Sequence, residues 1–238
     1  MNFTPEFLFL GLLWYVVFLF STVCHEAGHA YMAARLGDQT AYLGGQVSLN
    51  PAPHMQREPM GMMIFPWISY LFLTSGWMMG WASVPIDPYW TLRNPKKASM
   101  VSVAGPLANF VLVLISALVI RVGLGAGLFA PPTTGSIEGL VVGTTPALEG
   151  IATFLSLMFS LNLLLGMFNL IPVPPLDGYS VLGLFLPENL ARKLEEFRFQ
   201  YSRFSFVGLL IAWKLFGEFG FGLFRAGVHL LYAGYLKY

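Results

Sequence analysis

The sequence predicts an α-helical polytopic membrane protein, and three observations carry that prediction. Hydrophobic residues make up 56% of the chain and charged residues only 11%. The mean hydropathy is +0.65, outside the range of soluble globular domains. Apolar runs long enough to cross a bilayer recur along the chain. Ionisable groups next to those runs are few, and at membrane depth such groups are functional candidates by default. The length suits about four to six spans in a single membrane-embedded domain over residues 1–238. A core of about 7–184 is expected, followed by an amphipathic and transmembrane segment of about 190–238. The formal net charge of +1 gives no nucleic-acid surface, and the single cysteine, Cys24, excludes an internal disulfide framework.

The first span opens at Phe7 and carries no ionisable side chain except Tyr15 as far as Val23. It lacks a basic leader and a small-residue cleavage site, so it reads as a retained helix and not a signal peptide. The run flows into His25-Glu26-Ala27-Gly28-His29. The helix is expected to continue through Ala34 and stop near Gly37, with Arg35 complementing the negative end of its dipole. Thr40–Leu49 places β-branched and aromatic residues on both sides of a Gly-Gly pair, which suggests a short β-hairpin. His54 follows in a proline-containing loop. Met62–Ala82 is apolar but holds Pro66, Gly76 and Gly80, and it is expected to enter the membrane and return.

Ala98–Val122 is a further span, with Arg121 able to snorkel at its end. Within it, Ala104–Asn109 reads AGPLAN, where Gly105 and Pro106 allow a local break and close backbone approach. Asn109 is an amide at a depth where unpaired polar groups are costly. Gly123–Gly150 has no Lys or Arg and reads as a loop. Leu148–Ile171 spans again, includes Asn162 and Asn169, and runs into PVPPLDG, whose prolines force irregular backbone and deliver Asp177 beside Gly178. Arg192–Arg203 is amphipathic. Phe204–Tyr235 is apolar but interrupted by Lys214, Glu218, Arg225 and His229, as one tilted helix or two short ones.

The chemistry concentrates on HEAGH. On a helix His25 and His29 lie one turn apart and present both imidazoles on one face, a two-ligand zinc spacing, with Glu26 placed to accept a proton from a bound water. A catalytic zinc takes a third protein ligand, and Asp177, on irregular backbone after a proline-broken span, fits that place. Cys24 is displaced around the helix from the histidine pair and reads as packing.

With HEAGH, AGPLANF at Ala104–Phe110 and NLLLGMFNLIPVPPLDG at Asn162–Gly178 in this order, the chain resembles the site-2 protease family of intramembrane zinc metalloproteases. It looks like the compact branch without PDZ or CBS modules. The resemblance implies a three-helix catalytic core with one Zn²⁺ per chain, ligands His25, His29 and Asp177, and Glu26 as general base. It implies peptide-bond hydrolysis in a transmembrane protein or peptide substrate within the lipid bilayer, of the kind seen in regulated intramembrane proteolysis. NPAPHMQREPMG at Asn50–Gly61 and GWASVP at Gly80–Pro85 resemble two further family stretches, and the resemblance makes His54, and Asn109 within AGPLANF, candidates for oxyanion or substrate-backbone contacts. Both stretches depart from the pattern: Glu58 stands for an aspartate and Ser83 for a Lys-Pro pair. The Thr40–Leu49 hairpin would offer an edge to an extended substrate. Basic residues fall on the active-site side, which predicts an integral protein of a bacterial cytoplasmic (inner) membrane with its site facing the cytoplasm. The alternatives are a catalytically inactive membrane-binding relative and a small transporter subunit.

Overall fold

The computed structural model describes residues 4–73 and 76–234. Four of its helices are long and apolar enough to cross a membrane: α1 (Pro5–Leu36), α6 (Pro95–Gly125), α7 (Pro146–Asn169) and α10 (Ser205–Leu231). Short helices connect them: α2 (Thr40–Leu43), α3 (Pro51–Arg57), α4 (Phe65–Ile68), α5 (Pro88–Arg93), α8 (Asp177–Val181) and α9 (Glu188–Gln200). Two antiparallel strands, β1 (Phe129–Ala130) and β2 (Val142–Gly143), pair within the stretch read as a loop.

The first helix forms as its sequence requires. Thr4 caps it through its hydroxyl, which accepts from the Phe7 amide at 3.3 Å, and Pro5 stands where a missing N–H costs nothing. Gly37, at φ 108°, ends it in the left-handed conformation that glycine tolerates best. Its faces meet α6 closely because the facing residues are small. A side chain added at Gly28 would lie 2.8 Å from the Ala104 carbonyl oxygen. The local break that Gly105 and Pro106 would allow does not occur, since α6 runs on with Pro106 inside it; the close approach does.

A polar relay joins the three central spans at depth. Asn162 of α7 donates from Nδ2 to Ser21 Oγ of α1 at 2.9 Å and to the Met158 carbonyl at 2.8 Å. Asn109 of α6 donates to Asn162 Oδ1 at 2.8 Å. All three polar side chains are buried, and each satisfies another. Trp14, Phe18, Leu112, Leu157 and Met158 form an apolar core nearby.

Two expectations are corrected. Thr40–Leu49 is not a hairpin. Asp38 Oδ1 accepts from the Thr40 amide at 2.9 Å and from its hydroxyl at 2.6 Å, which starts a helical turn, and Gly44 and Gly45 close that turn without joining strands. His54 is not a loop residue but lies in α3, begun by an Asn50 cap on the Ala52 amide at 3.0 Å with Pro51 in first position. The Met62–Ala82 expectation holds in a mixed form. A helical limb of α4 flanked by π-helical turns, Met60–Ile64 and Ser69–Leu73, runs in, and a limb without regular secondary structure comes back. The return is tied by the Trp81 amide to the Gly61 carbonyl at 3.2 Å and by the Met79 amide to Ser69 Oγ at 2.8 Å. Pro66 sits in the first turn of α4, Gly76 adopts φ 123°, and a side chain on Gly80 would strike the Gly61 carbonyl. The inward limb reaches the start of α1, where the Tyr70 hydroxyl donates to the Phe7 carbonyl at 2.7 Å. The C-terminal apolar stretch is one helix as far as Leu231.

Candidate metal centre

Two segments distant in sequence bring His25, His29 and Asp177 together. The imidazoles come from successive turns of α1, with their Nε2 atoms 3.1 Å apart. Asp177 is the first residue of α8, and its Oδ2 lies 3.2 Å from each Nε2. The turn after α7 can fold this tightly because Gly178 presses on it: a side chain there would meet the Leu170 carbonyl at 2.2 Å. Glu26 is buried beside the group, within electrostatic reach of both histidines, Asp177 and His54.

The tautomers can be deduced from the polar relay. Met158 offers only a carbonyl, so Asn162 must turn its amide nitrogen there and its oxygen to Asn109. Asn109 then points Oδ1 at His25, whose Nδ1–H donates to it at 2.6 Å. His29 Nδ1–H donates to the Val101 carbonyl at 2.8 Å. Each neutral imidazole therefore carries its lone pair on Nε2, and the two lone pairs face each other and a carboxylate oxygen that has no hydrogen-bond partner of its own. Three acceptors so arranged are satisfied by a cation.

Spacing and shape support the same conclusion. The ligand atoms lie within 4.8 Å of one another. Zinc bonds of about 2.05 Å in tetrahedral directions separate neighbouring ligand atoms by about 3.3 Å, and the observed separations of 3.1 and 3.2 Å match. Room is kept by Gly105, where a side chain would stand 2.2 Å from His29 Nε2 and 2.6 Å from His25 Nε2. The residues present fit zinc.

The family is decided by comparison of the whole chain. Residues 13–213 match peptidase family M50. The chain belongs to that family. As an M50 member with this triad among apolar helices, it is a zinc metallopeptidase of the membrane, as the site-2 protease resemblance implied. It is 32% identical over 208 residues to YwhC of Bacillus subtilis (strain 168), a protein whose name calls it a zinc metalloprotease, covering 85% of this chain and 81% of YwhC. Two proteins named Rip2 and likewise called zinc metalloproteases are also similar. That of Mycolicibacterium smegmatis is 31% identical over 74% of this chain, and that of Mycobacterium tuberculosis (strain ATCC 25618 / H37Rv) is 29% identical over 81%. The chain spans 58% and 63% of these two relatives' own lengths. No solved structure is a significant match.

His54 is nearly inaccessible, with Nε2–H donating to the Ser48 carbonyl at 3.0 Å and Nδ1 buried without a partner among the described residues. Asn109, expected among the substrate-facing groups, is fully buried with its oxygen on His25 and its nitrogen on Asn162, so it orients the His25 ring. Ser21 and Val101 received no role from the sequence, and Asn162 was visible only as a polar residue inside a span. The two departures from the family pattern touch each other. Ser83 Oγ donates to Glu58 Oε1 at 2.5 Å and accepts from Arg57 Nε at 3.3 Å, so the longer carboxylate reaches the shorter partner.

Proposed function

We propose that this membrane zinc metallopeptidase hydrolyses peptide bonds of transmembrane protein substrates, with His25, His29 and Asp177 as ligands and Glu26 as general base. The observation that carries the proposal is the convergence of three unsatisfied acceptors, with Glu26 alongside, among helices long and apolar enough to span a membrane. Bound zinc supplies a Lewis acid that acidifies water and polarises a carbonyl. Glu26 accepts the proton of the attacking water and returns it to the leaving amine. Asn109 and Val101 fix the imidazole tautomers. His54, whose buried Nδ1 has no partner among the described residues and which lies within electrostatic reach of Glu26, is the remaining candidate for contact with the developing oxyanion or the substrate backbone.

A substrate helix conceals its carbonyls and must unwind before attack. With no hairpin at Thr40–Leu49, the backbone best suited to receive an unwound segment is the non-helical limb between Gly76 and Asp87. Purified protein should hold one zinc per chain and cleave a single-span substrate in proteoliposomes. Stripping with a chelator should abolish cleavage, and stoichiometric zinc should restore it. Undiminished cleavage by metal-free protein would refute the reading.

The proposed orientation places the site toward the cytoplasm of a bacterial inner membrane. Arg35, Arg57, Arg93, Lys96, Lys97, Arg192 and Lys193 lie at the α1 C-terminal end, and Lys96 donates to the Leu184 carbonyl at 2.9 Å there. Single cysteines at exposed Gln56, Tyr89 and Thr134 in a Cys24→Ser background test it with a membrane-impermeant thiol reagent on whole cells. Protection of the first two and labelling of the third is expected. The reverse pattern would invert the protein.

A further inference from the structure

The last span is chemically two-sided. One face of α10 packs on the body of the protein: Gly208 against the Pro174 carbonyl, Phe216 on Phe168 with ring centroids 5.5 Å apart, Gly227 against Leu163, and Ala212 and Leu231 buried. The charged residues all lie elsewhere. Lys214, Glu218, Arg225 and His229 are spaced by four, seven and four residues, which at 3.6 residues per turn confines them to an arc of about 60°. That arc points almost directly away from the packed face, and all four side chains are exposed.

Arg225 and His229 border a cleft beside Ser136 and Ile137 near the end of the helix, where water is within reach. Lys214 and Glu218 have no such outlet. Glu218 is the central residue of Ser205–Leu231, about 20 Å from either end, and Lys214 is one turn away. Among the described residues neither makes an ion pair within the chain. An ammonium and a carboxylate facing hydrocarbon at this depth are costly, and such groups in spans normally face protein.

We propose that this face of α10 is covered by a second copy of the chain, in a parallel two-fold dimer. Two copies inserted in the same direction can be related only by an axis along the membrane normal, so their α10 helices run parallel with equal residues at equal depth. Lys214 then lies one helical turn from Glu218 of the partner copy, and Glu218 lies one turn from the partner copy's lysine. The face is thus complementary to itself, as an isologous contact requires, and closes two reciprocal ion pairs. Close approach is open to it as well. Gly222 follows Glu218 by one turn, about 40° around the helix, and a side chain added there would meet nothing within 4 Å.

The test uses the full chain in proteoliposomes at low protein-to-lipid ratio. In a Cys24→Ser background, Gly222→Cys should form a disulfide-linked dimer. Leu223→Cys, exposed but about 100° around the helix, should form at least tenfold less. Single-molecule photobleaching should count two copies for the wild type. Lys214→Glu alone and Glu218→Lys alone should each weaken association at least tenfold by setting like charges together, and the doubly swapped variant should recover it. Peptidase activity of each variant reports folding independently, because neither residue belongs to the metal site. A monomeric wild type, equal cross-linking at both cysteines, or single swaps that associate as well as wild type would overturn the dimer. So would a Gly222→Cys adduct formed only with a different protein.

Discussion

Glu26→Gln is expected to give a folded, zinc-loaded protein that cleaves its substrate about 10²–10⁴-fold more slowly, the range that removal of a general base costs. The structure separates the two readouts. The atoms that face one another in the proposed metal site belong to His25, His29 and Asp177, so on that reading an amide at position 26 takes no ligand away. It is also nearly the same size, and the side chain is buried, so packing on α1 is preserved. What the amide cannot do is accept the proton of water. Zinc content by metal analysis and turnover of a single-span substrate, measured on one preparation, check this. Cleavage at near wild-type rate would transfer the base to another group, of which His54 is the titratable neighbour outside the ligand set.

The parts of this protein legible in its sequence are those dictated locally. A run from Phe7 into HEAGH can only be one amphiphile-ended helix, and Gly37 stops it where a left-handed residue is needed. The prolines before Asp177 announce irregular backbone, and the aspartate arrives at the histidines as expected. The Thr40–Leu49 pattern is ambiguous because its Gly-Gly pair is compatible with either a strand turn or the end of a helical turn. The deciding group, the Asp38 carboxylate, lies outside the pattern. His54 looked like a loop residue because proline is frequent in loops, yet Pro51 after a capping Asn50 equally opens a helix.

Partnerships across the fold were out of reach for a different reason. Asn109 and Asn162 are both amides in spans, and either could have faced substrate. Only the position of the Met158 carbonyl orders the amides and thereby the proton on His25. The apposition of Glu58 and Ser83 is of the same kind: 25 residues separate two departures that form one contact. The charged residues of α10 were legible as interruptions, but that they share the outward face follows only from which face is packed.

Gly105→Ala is expected to abolish zinc binding with little change in the helical fold, a larger effect than its single added methyl suggests. Alanine is a better helix former than glycine, by up to about 1 kcal/mol, so α6 itself gains from the change. The new carbon, however, would stand 2.2 Å from His29 Nε2 and 2.6 Å from His25 Nε2, in the space into which both lone pairs point. Neither ring can swing aside freely, because the far nitrogen of each is held, by Asn109 and by the Val101 carbonyl. The helices cannot part freely either, since Gly28 presses on the Ala104 carbonyl one residue away. Loss of affinity should therefore exceed the about 10–100-fold typical of removing an outer-shell partner of a metal ligand. It should approach that of Asp177→Ala, which deletes one of the three ligands outright. Zinc titration of both variants beside the wild type, with circular dichroism to confirm helix content, makes the comparison. If Gly105→Ala binds zinc as tightly as the wild type, the ion does not occupy the space between these imidazoles and the proposed ligand set is wrong.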